Sequence, residues 1–180
     1  MKISKLHPGT LYAFTDGSAN PNPGPTGAGA AIYYKGHDSE IKDQPAITYA
    51  AAIGLEDNNA GELYAVGLVC EHAKLTDYSG NIHIFTDSTL TKGALTSGWS
   101  AGKGILLLLR ALRKKLRELN NCAWVPGHSG IPQNELADAL AGAGSCYSEE
   151  NYAARIELHK TILERGFHSL VIDTDHEPPD

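Results

Sequence analysis

The sequence predicts an α/β domain, and three observations carry that class. Three strand-like segments come first, at 11–15, 27–34 and 46–52, with turns rich in Gly, Pro and Asp between them. From Asn58 the apolar spacing changes to a helical period, with Leu63, Val66, Cys70 and Ala73 on one stripe. Beyond that point strand and helix patterns alternate, giving the order β-β-β-α-β-α-α-β-α followed by a tail.

Each element has its own signal. Leu11-Tyr12-Ala13-Phe14-Thr15 is an apolar run ending at Asp16, where a Gly/Pro-rich turn is expected to begin. Hairpin-like turns join it to the segments at 27–34 and 46–52, so these three form a meander. In the helix from Asn58, Asn59 and Glu62 have the spacing of an N-cap and its third-position partner. Ile82-His83-Ile84-Phe85-Thr86 alternates like a strand and ends at Asp87, with a short helix expected from Ser88. At 103–119, Ile105, Leu108, Leu109, Leu112, Leu116 and Leu119 share one helical face. A strand at 122–125 leads into Pro126-Gly127-His128-Ser129-Gly130, and a helix starts near Pro132, where proline suits the first turn.

Composition narrows the class further. The 180 residues suffice for one well-buried domain, expected at 1–148, with an acidic, partly helical tail at 149–180. No segment is long and apolar enough to span a bilayer, and the N-terminus lacks the apolar core of a signal peptide. Cys70, Cys122 and Cys146 have no metal-ligand spacing and read as reduced core thiols, which suits a cytoplasmic or nuclear setting. Net charge is −6, yet residues 100–120 hold six bases against one acid, while 149–180 hold eight acids against three bases. Overall acidity therefore says little about a polyanionic partner. The basic stretch serves either as a phosphate-tracking surface or as solvated helix decoration.

Asp16, Glu62, Asp87 and Asp138 are the candidate ligands of a divalent metal. Aspartates at the carboxyl ends of strands can face one cleft, and carboxylate oxygens are the hard donors that Mg²⁺ requires. Each acid also has a structural reading: Asp16 as the anchor of an Asx turn, Glu62 in a capping pattern, Asp87 as an N-cap, and Asp138 on a solvated helix face off the Leu136/Leu140 stripe. His128, between glycines, reads alone as a loop histidine.

Four segments together resemble type 1 ribonuclease H: Thr15-Asp16-Gly17-Ser18-Ala19-Asn20-Pro21-Asn22-Pro23-Gly24-Pro25, Asn58-Asn59-Ala60-Gly61-Glu62-Leu63, Phe85-Thr86-Asp87-Ser88, and the stretch from Val125 through Gly127-His128-Ser129-Gly130 to Asp138. They occur in the family's order and at family-like spacing over residues 10–145; the last also resembles ribonuclease H domains of retroelements. The resemblance implies a ribonuclease H-like five-stranded mixed sheet, three antiparallel strands then two parallel ones, with helices on both faces. It implies endonucleolytic hydrolysis of the RNA strand of RNA/DNA hybrids. Two Mg²⁺ ions, or Mn²⁺, would be held by Asp16, Glu62, Asp87 and Asp138, with His128 moving protons or assisting product release. Family positions for sugar and minor-groove contacts match Gly17, Ser18, Asn22, Asn58 and Asn59. The sequence departs from many bacterial relatives at Thr89, where they carry glutamine, and in lacking room for a basic protrusion between Asp87 and His128. Trp99 reads as a core anchor or a substrate contact. A monomer is expected. The rival readings are a nuclease or resolvase of the same fold, and a non-catalytic hybrid-binding module.

Overall fold

The computed structural model describes residues 10–34, 45–97 and 122–146. The basic helix expected at 103–119, Trp99 and the acidic tail lie outside the described residues. The described elements are β1 (Leu11–Ala19), β2 (Gly24–Tyr34), β3 (Ile47–Glu56), α1 (Asn58–Leu75), β4 (Ile82–Thr86), α2 (Thr89–Thr96), β5 (Cys122–Trp124) and α3 (Pro132–Ser145). One sheet runs in the order β3-β2-β1-β4-β5. The β1–β2 and β2–β3 pairs are antiparallel, and the β1–β4 and β4–β5 pairs are parallel. The expected mixed sheet is therefore present. No described helix is long and apolar enough to cross a membrane.

Strand alternation sorts the core into two layers. Leu11 and Ala13 of β1, with Ala28, Ala30 and Ile32 of β2, pack against Leu63, Val66 and Val69 of α1. Tyr12 and Phe14, with Ala31, Tyr33 and Phe85, pack with Val125 and Ala137, while Leu136 and Leu140 close the rim. Phe14 and Phe85 stack at 4.7 Å between ring centroids. Each fully buried side chain of this size stabilises the fold by roughly 1.5–3 kcal/mol.

Three local expectations are corrected. β1 does not stop at Asp16; it pairs with β2 through Ala19↔Thr26, so ladder hydrogen bonds override the turn signal of Gly17. The N-cap of α1 is Asp57, whose carboxylate accepts from the Ala60 amide at 2.8 Å, and not Asn59. Likewise Ser88, not Asp87, caps α2, its Oγ accepting from the Thr91 amide at 3.0 Å. Both shifts release an acid for the site. α1 also carries more than one buried stripe: every residue from Ala60 to Ala73 is buried. Cys70 is buried as expected, whereas Cys146 is exposed.

The buried face of α3 differs as well. Asn134, Ala137, Ala141, Gly144 and Ser145 are buried, and the leucines are only partly so. Small residues win because β2 presents glycines there: a Cβ on Gly27 would lie 2.1 Å from Ala141 O, and one on Gly29 would lie 2.2 Å from Ala137 O. Helix and sheet meet backbone to backbone, and the fold fixes α3 closely beside β1 and β2.

Candidate active site

Parallel pairing creates the first half of the site. Thr15 of β1 stands opposite Thr86 of β4, so the next residues, Asp16 and Asp87, emerge side by side from neighbouring strands. α1 then brings Glu62 in from above. Gly17 permits this approach: a Cβ on it would sit 2.2 Å from the Glu62 amide nitrogen and 2.5 Å from the Gly61 carbonyl carbon. One ligand oxygen from each of Asp16, Glu62 and Asp87 lies within 4.8 Å of the others.

Asp16 and Glu62 are 6% and 7% exposed, and they share a side-chain hydrogen bond. The Gly17 amide donates to Asp16 Oδ1 at 2.7 Å, and Thr86 Oγ1 donates to Glu62 Oε2 at 3.2 Å. Burial pushes the Asp16 carboxyl up to about 7, with the charges of Asp87 and Asp138 adding to the rise. Burial also raises Glu62 well above the carboxylate range, and repulsion from Asp16 adds to it. This is an anionic cluster that hard cations would relieve, and its donors are all oxygens, the set that suits Mg²⁺ or Mn²⁺.

The second half is built differently. His128 lies in the loop after β5 at φ 48°, next to Ser129 and to Gly130 at φ 74°. His128 Nδ1 stands 3.8 Å from Asp138 Oδ2, with side chains 78% and 42% exposed. His128, Glu135 and Asp138 form a separate group whose ligand atoms lie within 4.8 Å of one another. The structure thus groups three of the four acids tightly and places Asp138 with His128, although its charge is still felt at Asp16.

The positions expected to meet the sugar are near this site but already occupied with structure. Gly17 and Ser18 are in β1. Asn58 Oδ1 accepts from the Ala19 amide, and Asn22 Oδ1 accepts from the Asn58 amide at 3.2 Å, stitching the β1–β2 turn to the start of α1. Asn59 sits in the first turn of α1, and Thr89 opens α2 with its side chain exposed. Three contacts escaped the sequence reading, two at Asp87 and one in the His128 loop. Asn134 Nδ2 donates to Asp87 Oδ2 at 3.2 Å, Trp124 Nε1 donates to the Asp87 carbonyl at 2.8 Å, and Glu135 Oε1 accepts from the Gly130 amide at 3.2 Å. The spacing of Asn134 four residues before Asp138, on one helix face, was the signal available for the first of them.

Comparison with known proteins agrees with this architecture. The family model described as RNase H matches residues 8–146. A ribonuclease H of Alkalilimnicola ehrlichii is 32% identical over 148 residues, covering 74% of this chain and 93% of its own. One of Methylococcus capsulatus is 34% identical over 155 residues, covering 79% and 92%. Among solved structures, ribonuclease H1 of the archaeon Halobacterium salinarum superposes with TM-score 0.61 at 27% identity, over 77% of this chain and 99% of that one. LC11 ribonuclease H1 in complex with an RNA/DNA hybrid superposes with TM-score 0.57 at 20% identity, over 74% and 97%, which speaks to the fold. A family model that spans both core layers and all four acids, with relatives matched over most of their length, leaves one assignment: the chain belongs to the ribonuclease H family.

Proposed function

We propose that this ribonuclease H cuts the RNA strand of RNA/DNA hybrids endonucleolytically, with Asp16, Glu62, Asp87 and Asp138 as the ligands of two Mg²⁺ ions and Mn²⁺ as a substitute. The observation that carries the reading is the buried carboxylate cluster just beyond the last β1–β4 pair, where two acids are raised far above their ordinary range and no described basic side chain answers them. Bound there, the cations supply acidity to an attacking water and stabilise charge on the leaving 3′ oxygen. Glu62 and Asp16 must surrender their shared proton for this, so binding of the ions and deprotonation of the pair are linked.

The remaining roles fall to residues outside the buried cluster. His128, exposed and beside Asp138, exchanges a proton with solvent or with the leaving oxygen, and its loop position lets it follow substrate entry and product exit. Asp138 orients that imidazole and would also be a ligand of the cations. The 2′-hydroxyl is read by the backbone and short side chains around Gly17, Ser18, Asn22, Asn58 and Asn59, at the turn that α1 and β1 hold together. Thr89 reaches less far than a glutamine would and contributes a weaker groove contact. Action as a monomer in the cytoplasm belongs to the same reading.

The test presents one end-labelled sequence as RNA/DNA hybrid, RNA duplex, DNA duplex and single-stranded RNA, with Mg²⁺, Mn²⁺ or EDTA, alongside Asp87→Asn. The expected result is metal-dependent cutting of the hybrid's RNA strand alone, lost in Asp87→Asn. Tight hybrid binding without cutting would favour a binding module, and cutting of branched DNA would favour a resolvase.

A further inference from the structure

Asp87 is held from the β5–α3 side by two hydrogen bonds. Trp124 Nε1 donates to its main-chain oxygen at 2.8 Å, and Asn134 Nδ2 donates to its Oδ2 at 3.2 Å. Gly127 leaves room for that oxygen, since a Cβ there would lie 2.5 Å from Asp87 Oδ2. Asn134 is 2% exposed, and its other amide atom, Oδ1, is buried with no hydrogen-bond partner. Turning the amide over would not help, since it would set a carbonyl oxygen against the carboxylate. A buried, orphaned acceptor beside a carboxylate cluster is an uncommon expense for a fold, and such atoms call for a ligand or a water.

We infer that Asn134 is a positioning residue of the metal site: Nδ2 fixes the Asp87 carboxylate, and the unpartnered Oδ1 accepts a hydrogen bond from the water shell of the bound cation. The inference rests on the cation reading given above. Its chemistry is that of an amide and of little else. A lysine at this place would neutralise an acid and compete with the cation, whereas an aspartate would repel Asp87. Mg²⁺ keeps several waters in protein sites, so an acceptor just outside the carboxylates has a donor to meet. Rigidity comes from the helix: Asn134 lies one turn before Asp138 on α3, and α3 is seated on Gly27 and Gly29 without side-chain slack. One helix therefore carries both a candidate ligand and the group that orients another.

The test titrates the metal-free full chain with Mg²⁺ and with Mn²⁺ by calorimetry, without nucleic acid, and follows water-proton relaxation of the Mn²⁺ form. Asn134→Ala is expected to weaken cation affinity by about 10-fold or more and to raise the Mg²⁺ concentration for half-maximal cleavage in parallel. KM for the hybrid should stay within about twofold, because the residue orients the metal site and not the substrate. Asn134→Asp retains an oxygen acceptor but repels Asp87, so kcat at saturating Mg²⁺ should fall while cation affinity does not. Unchanged cation affinity in Asn134→Ala, with only a lower melting temperature in EDTA, would overturn the inference, as would an unaltered kcat in Asn134→Asp. Asp87→Asn separates the two levels. If the wild-type chain binds no cation, the site reading fails and takes this one with it; if wild type binds and Asp87→Asn does not, a failure at Asn134 counts against the positioning role alone.

Discussion

Asp16, Glu62 and Asp87 stand where two parallel strands and a helix start converge, and His128, Glu135 and Asp138 stand on a loop and the helix that follows it. The first group is mostly buried and tied to backbone and hydroxyl donors. The second is solvent-facing, with a histidine held in a positive-φ turn and only 3.8 Å from its aspartate. Burial makes the first group costly to ionise without a counter-charge, which gives it selectivity for cations. Exposure leaves the second group free to exchange protons and to rearrange. One half of the site is thus preset by the fold, and the other half is adjustable.

The sharpest way to break this comparison is to remove charge from each half and compare the losses. Asp87→Asn is expected to lower kcat by at least about 10³-fold at any Mg²⁺ concentration, because it removes a group of the preset half. Comparable residual activity in Asp87→Asn and in loop variants would show that the two halves do not differ in kind.

Much of that preset half was legible beforehand. The order of elements and the places of Asp16 and Asp87 at strand ends followed from the apolar patterns, while the mixed sheet and the joining of these acids with Glu62 and Asp138 into one site followed from the resemblance of four motifs to ribonuclease H. What the sequence could not display was proximity at backbone distance. Gly17 against Glu62, and Gly27 and Gly29 against Ala141 and Ala137, decide how α1 and α3 seat, and glycine and alanine leave no amphipathic signature. The stripe of Leu136 and Leu140 therefore marked the rim of the buried face of α3 and not its centre. The caps were misplaced for a related reason: Asp57 and Asn59 can both cap, as can Asp87 and Ser88, and only the helix start selects between them. Asn134 was visible as a residue one turn before Asp138, but its tie to Asp87 joins segments 47 residues apart, which no local pattern encodes.

Stability against pH offers the next test. Asp16 in the folded chain titrates at about 7 against an ordinary value of 3.8, so between those limits the folded state holds a proton that the unfolded state has lost. Stability contributed by that proton is fully present below the unfolded value, falls as pH rises between the two and is gone above about 7, a loss on the order of 4 kcal/mol. Glu62 acts in the same direction. Buried His72 and His83, both lowered by burial, act oppositely on the acid side, so the informative window is about pH 6 to 8. The metal-free melting temperature should fall across that window, and Asp16→Asn should flatten the fall. Mg²⁺ should restore more stability at the alkaline end than at the acid end. A metal-free melting curve indifferent to pH there would mean that the acids are already compensated.

His128→Ala probes the adjustable half. Loss of a positioned proton carrier typically lowers kcat by about 10²-fold, and here metal affinity should not change, since the exposed imidazole is not among the proposed ligands. If cation affinity falls together with kcat, His128 belongs with the preset half after all.

The smallest effect is expected at Glu135. Its Oε1 accepts from the Gly130 amide at 3.2 Å, and this exposed contact ties the His128 loop to the first turn of α3. Glu135→Gln keeps the length and an acceptor while removing charge, so it should alter kcat by no more than about threefold and leave melting within the change typical of a surface position. Glu135→Ala removes the tether and should cost several-fold more than Glu135→Gln, with the difference largest when product release limits the rate. The ratio of the two variants isolates loop anchoring from charge: equal effects would mean that the carboxylate acts through the electrostatics of Asp138 and His128, and unequal ones that the loop is held by this one bond.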